Sequence, residues 1–235
     1  MSRPGGRETE TAPGDGEPPY KLQRNARKTS KRLGRFFVER RELHGLRRNT
    51  LRKWEKGEIS VKITQADCIR TGRLELRSYE SGDAKRIVEL LTNPEVSKTF
   101  MVPGFQSEQQ ALDLAHKLIA FSKTEDTAHL EYGIYLDGTL IGFVNDCGTE
   151  DGEIEIGYVI HPDCKGRGYA TEAVSAVIGD LFRMGFQRVT AGFFEENAAS
   201  RRVMEKCGMQ PLERSERIEY RGVSRVCRYF SIQNS

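Results

Sequence analysis

The sequence predicts a mixed α/β domain, strands and helices in alternation from about residue 72 to residue 233, behind a basic N-terminal extension. Three observations predict it. Asp137-Gly138 sits between two alternating apolar runs, the strongest short signal for a β-hairpin. The β-branched run 154–160 enters a loop with glycines at 166 and 168 and leaves it as an amphipathic helix. A second hairpin pattern closes the chain across Arg221-Gly222.

The elements follow in order. Residues 74–79 read as a strand. Residues 83–91 place Ile87, Leu90 and Leu91 on one helical stripe, and 107–121 do the same with Ala111, Leu114, Ala115, Leu118 and Phe121. The hairpin follows as 132–136 and 139–145, and 154–160 is the next strand. The helix 168–182 turns Val174, Val177, Ile178, Leu181 and Phe182 inward. Strand 187–194 leads to helix 197–207, capped by Asn197 and stopped by Gly208. Strands 213–220 and 223–232 form the closing hairpin.

Composition narrows the function classes. Apolar residues make up 37% of the 235 and charged residues 30%, within range for a protein with a core. No run approaches the 18 or so apolar residues that a membrane helix needs. The polar start carries no secretory signal pattern, so a cytoplasmic protein without membrane contact is expected. Five scattered cysteines without C-x-x-C, and four histidines without ligand spacing, predict reduced thiols and no metal.

The net charge of +3 hides an asymmetry. Residues 21–60 hold 14 basic and 4 acidic side chains, net +10, whereas 61–235 are net −5. Residues 1–19, rich in Pro and Gly and without an aromatic, read as a disordered tail. Residues 20–71 read as a basic, partly helical extension, with Leu33, Phe36, Phe37, Arg40 and Leu43 at helical spacing and a second short helix at 50–56. The run Thr50 to Gly57 resembles the recognition-helix end of repressor-type helix-turn-helix domains, but the segment is too short for that fold. Residues 20–60 read as a solvated basic arm that holds nucleic acid, a ribosome or another anionic surface through non-specific charge, or that binds nothing.

The chemistry concentrates in one stretch. Gly166 and Gly168 let backbone N–H groups converge without Cβ interference, and the helix start behind them adds unpaired donors and partial positive charge. Lys165 and Arg167 add full charges. The result is a cradle suited to a pyrophosphate. Two other readings compete: glycines that merely turn the chain, and a nicotinamide-binding unit, whose third glycine or alanine is here Thr171.

The run Lys165-Gly166-Arg167-Gly168-Tyr169-Ala170 resembles the signature of the GNAT superfamily of acetyl-CoA-dependent N-acetyltransferases, Gln/Arg-x-x-Gly-x-Gly/Ala, with Lys165 a mild departure. Its extension through Thr171, Glu172 and Ala173 is similar to the branch of ribosomal-protein N-terminal acetyltransferases. A second block, Asn197-Ala198-Ala199-Ser200 and then Glu205-Lys206-Cys207-Gly208-Met209, resembles the family's Asn-x-x-Ser…Glu-Lys-x-Gly-Phe segment.

The resemblance implies a central, twisted, mostly antiparallel sheet flanked by helices, and acetyl-CoA as acetyl donor. It implies that the pyrophosphate sits on the amides around Gly166, Gly168, Tyr169, Ala170 and Thr171. The pantetheine arm would pair with the main chain at Tyr158, Val159 and Ile160, Asn197 would bond the arm, and Arg202 would approach phosphate. The acceptor is a primary amine, first a protein N-terminus, alternatively an antibiotic or polyamine; a non-catalytic acetyl-CoA sensor is the reading from another class.

Such an amine must lose a proton. At pH 7 a neutral α-amine costs on the order of 1.4 kcal/mol and a neutral lysine about 4.6 kcal/mol. Glu155, on the strand that the resemblance sets against the thioester, is the first candidate base, and Glu153 on the same strand face the second. The family often places a Tyr acid seven residues after the Asn; here that residue is Met204, so Ser200 is the candidate acid for the departing thiolate. Cys164 and Cys207 have no partnered His and suggest no acyl-cysteine route.

Overall fold

A computed structural model describes residues 61–124 and 129–234. The tail at 1–19 and the helices expected near 33–43 and 50–56 lie outside the described residues.

Eight strands form one sheet in the order β1-β2-β3-β4-β5-β6-β8-β7. They are β1 (Cys68–Arg70), β2 (Glu75–Arg77), β3 (Glu131–Leu136), β4 (Thr139–Glu150), β5 (Glu153–Ile160), β6 (Arg188–Phe194), β7 (Gln210–Tyr220) and β8 (Val223–Gln233). Neighbours pair antiparallel except β5 and β6, which run parallel because α4 (Tyr169–Arg183) carries the chain across between them. The other helices are α1 (Ala84–Thr92), α2 (Pro94–Thr99), α3 (Glu108–Ser122) and α5 (Ala198–Lys206). The mixed α/β class and the mostly antiparallel sheet are as the sequence leads one to expect.

Three hairpins share one turn chemistry. Asp137-Gly138, Asp151-Gly152 and Arg221-Gly222 all have positive φ at both positions, the type I′ pattern that matches strand twist. The middle turn joins β4 to β5 and extends both beyond the limits that the apolar pattern suggests.

The sheet has two covered faces. Ile154 and Ile156 of β5 pack with Ala173, Val174, Val177 and Leu181 of α4. Val159 of β5 packs on the other face, with Phe143 of β4 and with Ile87, Leu90, Ala115 and Leu118 of α1 and α3. Alternation along β5 therefore sends 154, 156, 158 and 160 to the α4–α5 face, and 153, 155, 157 and 159 to the α1–α3 face.

The packed chain begins before the expected boundary at 72. Ile63 is buried in the core, the Ala66 N–H donates to Tyr132 Oη at 2.7 Å, and β1 pairs with β2. Polar residues around these contacts mask them in a pattern reading. Helix α2 was also not anticipated; Asn93 caps it, accepting from Glu95 N–H and Val96 N–H, and Pro94 occupies its first turn.

Candidate active site

β5 and β6 pair only from Glu153–Arg188 to Ile156–Ala191, and then separate. A cleft of about 430 Å³ opens between them, lined by 157–160 of β5, Gly192 of β6, the loop from Cys164 into α4, and α5. The His161 N–H donates to Ile141 O of β4 at 2.7 Å. Main-chain groups alternate along a strand, so Ile160 and Tyr158 turn theirs toward the cleft. The carbonyl of Val159 faces Gly142 of β4 instead, and its side chain lines the cleft.

The loop at the cleft's outer end is built by backbone conformation. Gly166 and Gly168 have φ of +78° and +84°, a region that costs side-chain-bearing residues energy. Gly168 is the residue before α4, and no side chain caps that helix. The amides of its first turn therefore face the cleft lined by Tyr169, Ala170 and Thr171. Lys165, Arg202 and Lys206 give the cleft cationic lining, while Arg167 is exposed and contributes its carbonyl to a brace.

That brace comes from the turn between β1 and β2. Arg73 pairs with Glu172 at 2.6 Å, donates to Arg167 O at 2.9 Å, and lies 4.6 Å from the centre of the Tyr169 ring. Thr71 Oγ1 donates to Glu172 Oε1 at 2.6 Å. Burial alone would raise the Glu172 pKa, but these hydrogen bonds and the Arg73 charge outweigh it and hold the carboxyl below its usual range. The Glu of the extended motif thus fixes the loop and the helix start.

On the α5 side, Asn197 Oδ1 accepts from Ser200 N–H at 3.1 Å, an N-cap. Ser200 Oγ lies 2.7 Å from Tyr158 Oη, which also donates to Ser200 O at 3.1 Å. Burial raises the Tyr158 phenol above its usual range and keeps it protonated. Met204 is fully buried in the core.

The α1–α3 face holds the carboxylates. Glu153 is paired with Arg188 at 2.7 Å. Glu155 lines a smaller cavity of about 40 Å³ that shares Thr99, Phe100, Gly157 and Gly192 with the cleft and adds Cys147, Phe194 and Cys227. The segment after α2 covers this end. Tyr220 Oη accepts from Val102 N–H at 3.2 Å and donates to Phe100 O at 3.3 Å, and Arg225 donates to Lys98 O at 2.9 Å. The last hairpin thereby fastens the residues between α2 and α3.

A model of the acetyltransferase (GNAT) domain matches residues 73–210, more than half of the chain. The chain belongs to the GNAT acetyltransferase family. This acetyltransferase is 30% identical over 147 residues to YoaA of Bacillus subtilis strain 168, an uncharacterized N-acetyltransferase, covering 60% of this chain and 82% of YoaA. A GNAT-family acetyltransferase from Bacillus anthracis superposes with a TM-score of 0.60 at 26% identity, over 71% of this chain and 98% of that one. RimL, a ribosomal L7/L12 α-N-protein acetyltransferase solved with coenzyme A, superposes with a TM-score of 0.62, over 71% of this chain and 97% of RimL; at 16% identity that likeness is one of fold.

The cleft of this acetyltransferase fits the acetyl-CoA its family uses. The wedge exposes strand groups for a pantetheine arm, and the space beside the loop is open: a Cβ on Gly166 would meet nothing within 4 Å, and one on Gly168 only Arg73 Nη2 at 3.4 Å. Of the residues singled out in the sequence, Tyr158, Val159, Ile160, Lys165, Gly166, Gly168, Tyr169, Ala170, Thr171, Asn197, Ser200 and Arg202 line the cleft together. Arg167 and Glu155 do not; Glu155 lies in the adjoining cavity. Val96, Thr99 and Phe100 were missed because the sequence reading made no helix of 94–99; Lys206 follows Arg202 by four residues and was legible from helical spacing. Among the described residues no group of three or more His, Cys, Asp or Glu is placed to hold a metal, and no helix is long and apolar enough to cross a membrane.

Proposed function

We propose that this acetyltransferase moves acetyl from acetyl-CoA to the N-terminal α-amine of a protein, in a ternary complex. What supports the mechanism is that the proposed base and the proposed acids border one gap from opposite sides. Glu155 borders the cavity on the α1–α3 face, and the Tyr158–Ser200 hydroxyl pair stands on the α4–α5 face.

The α4 amides, Lys165, Arg202 and Lys206 hold the phosphates, and the backbone of Tyr158 and Ile160 aligns the arm. Asn197, its Oδ1 occupied by the cap, offers its Nδ2 to the arm's carbonyls. Glu155 accepts the proton of the amine as nitrogen attacks the thioester carbon. A C–N bond forms, the C–S bond breaks, and the thiolate takes a proton from Ser200, which Tyr158 can replace. Because a thiol has a pKa of about 8.5, this last step assists the reaction without controlling it. Glu153 pairs with Arg188 at the strand end and lies outside the cavity that Glu155 lines.

The protein N-terminus is favoured over a small amine by the similarity of the 166–173 run to the ribosomal branch and by the fold likeness to RimL. The net +10 segment at 20–60 would bring the enzyme to a ribosome or nucleic acid, in the cytoplasm. Labelled acetyl-CoA incubated with a proteome extract, followed by turnover on peptides beginning with the labelled residues, tests the proposal. Label on protein N-termini with CoA release supports it. Turnover on polyamines alone replaces the acceptor, and binding without turnover replaces the mechanism.

A further inference from the structure

Asn145 lies on β4, paired with Gly157 of β5 on one side and with Glu131 of β3 on the other. It is 8% exposed, and its Oδ1 is buried without a hydrogen-bond partner. Leaving a buried oxygen unpaired costs about 1–3 kcal/mol, and such groups are scarce in folded proteins. The site of this one is informative. A Cβ on Gly157 would stand 3.1 Å from Asn145 Oδ1, 3.1 Å from Cys147 Sγ and 3.0 Å from the Phe100 ring. The oxygen therefore looks across the bare Cα of Gly157, which lines both the cleft and the cavity that holds Glu155.

From its place directly behind Gly157, the residue that lines both the cleft and the adjoining cavity, we infer that Asn145 Oδ1 receives an N–H of the acceptor amine and positions it over Gly157, with the Phe100 ring edge giving way to the incoming nitrogen. What the oxygen lacks is a donor, and an amine brought over Gly157 supplies one. The face then offers two hydrogen-bond acceptors: the Glu155 carboxyl, two residues along β5, and the Asn145 amide, across on β4. A nitrogen with at least two N–H bonds satisfies both while its lone pair stays free for attack. A neutral secondary amine, with one N–H, can reach only one of them. Asn145 thus selects primary over secondary amines. The inference rests on the proposed attack over this face, but not on the acceptor being a protein N-terminus.

The test compares wild-type protein with Asn145→Leu, which has nearly the same shape and removes the orphan oxygen. The probes are a peptide beginning with Ala, its N-methyl-Ala counterpart, and n-butylamine. Asn145→Leu is expected to melt at the same or a higher temperature and to keep CoA affinity within about twofold. Its KM for the primary amine should rise about 10–100-fold, the range of a lost hydrogen bond to a charged or partly charged group. The wild-type preference for the Ala peptide over the N-methyl form should shrink by a similar factor. An unchanged KM and preference, with a lower melting temperature, would make Asn145 a structural residue and overturn the inference. If Asn145→Leu fails to fold, the side-chain amide resonance of Asn145 in the wild-type CoA complex is followed while n-butylamine is added. A saturable shift supports the contact, and no shift overturns it. If no peptide is acetylated but n-butylamine still behaves as described, the protein-terminus proposal fails and the role of Asn145 stands.

Discussion

The hydroxyls of Tyr158 and Ser200 lie 2.7 Å apart, one from the strand and one from the helix that bound the cleft. Because Tyr158 Oη can also donate to Ser200 O at 3.1 Å, its own oxygen is left to accept from Ser200 Oγ. Two protons therefore share one short path, and either hydroxyl can face the thiolate. Ser200→Ala is expected to lower kcat by less than the 10²–10⁴-fold of a fully lost acid, since Tyr158 remains. Tyr158→Phe should do the same. The double variant should fall well below the product of the two single effects, as expected for groups that substitute for each other. Steady-state kcat of the three variants decides; equal rates in all would return the pair to packing.

Gly168→Asp should abolish CoA binding while sparing the fold. A left-handed Asp costs about 1–2 kcal/mol, a fraction of the stability of a domain. Its carboxylate occupies the phosphate position. Calorimetric titration with CoA should show no measurable binding where the melting curve stays cooperative. Retained affinity would dismantle the loop assignment.

Glu155→Gln should reduce kcat/KM most below about pH 7.7, where a terminal α-amine is largely protonated and needs a base. Above pH 9 the amine sheds its proton to solvent, and the variant should approach wild type. A loss that is uniform across pH removes Glu155 as base.

Glu131 carries a different pH signature. Burial pushes its pKa to about 8, against the hydrogen bond from Tyr79 Oη at 2.6 Å, which favours the charged form. The folded protein holds this proton more tightly than the unfolded chain, whose Glu titrates near 4.3. Stability from this group is therefore complete below about pH 4 and declines as pH rises toward 8, on the order of a few kcal/mol in all. Glu131→Gln, which can still accept from Tyr79, should flatten that decline and melt higher than wild type at pH 8. Parallel melting curves of the two proteins from pH 5 to 8 would contradict it.

What was legible in the sequence was local backbone chemistry. Asp137-Gly138 and the 166–168 glycines announce themselves because few residues accept positive φ, and both sit where the sequence places them. Glu153 and Glu155 share a strand face, and nothing local separates them; the separation comes from the cavity built by distant residues, which Glu155 lines and Glu153 does not. Asn145 was invisible for a related reason. Its meaning depends on a cross-strand glycine and on a partner that is missing, and neither leaves a trace in periodicity. Ser200 was named for its place after Asn197, but the phenol that shares its proton comes from β5, where the sequence drew attention only to main-chain groups.

The separation of β5 from β6 beyond Ile156 has a mechanical consequence. The sheet falls into two parts, β1–β5 and β6–β8, joined by a short parallel seam, by α4, and by the bonds from Tyr220 and Arg225 to the segment at 98–102. A donor bound along Tyr158 and Ile160 would lie as a splint between them. On the proposed mode of binding, the donor would add one more tie between the two parts, and departure of the spent thiol would remove it.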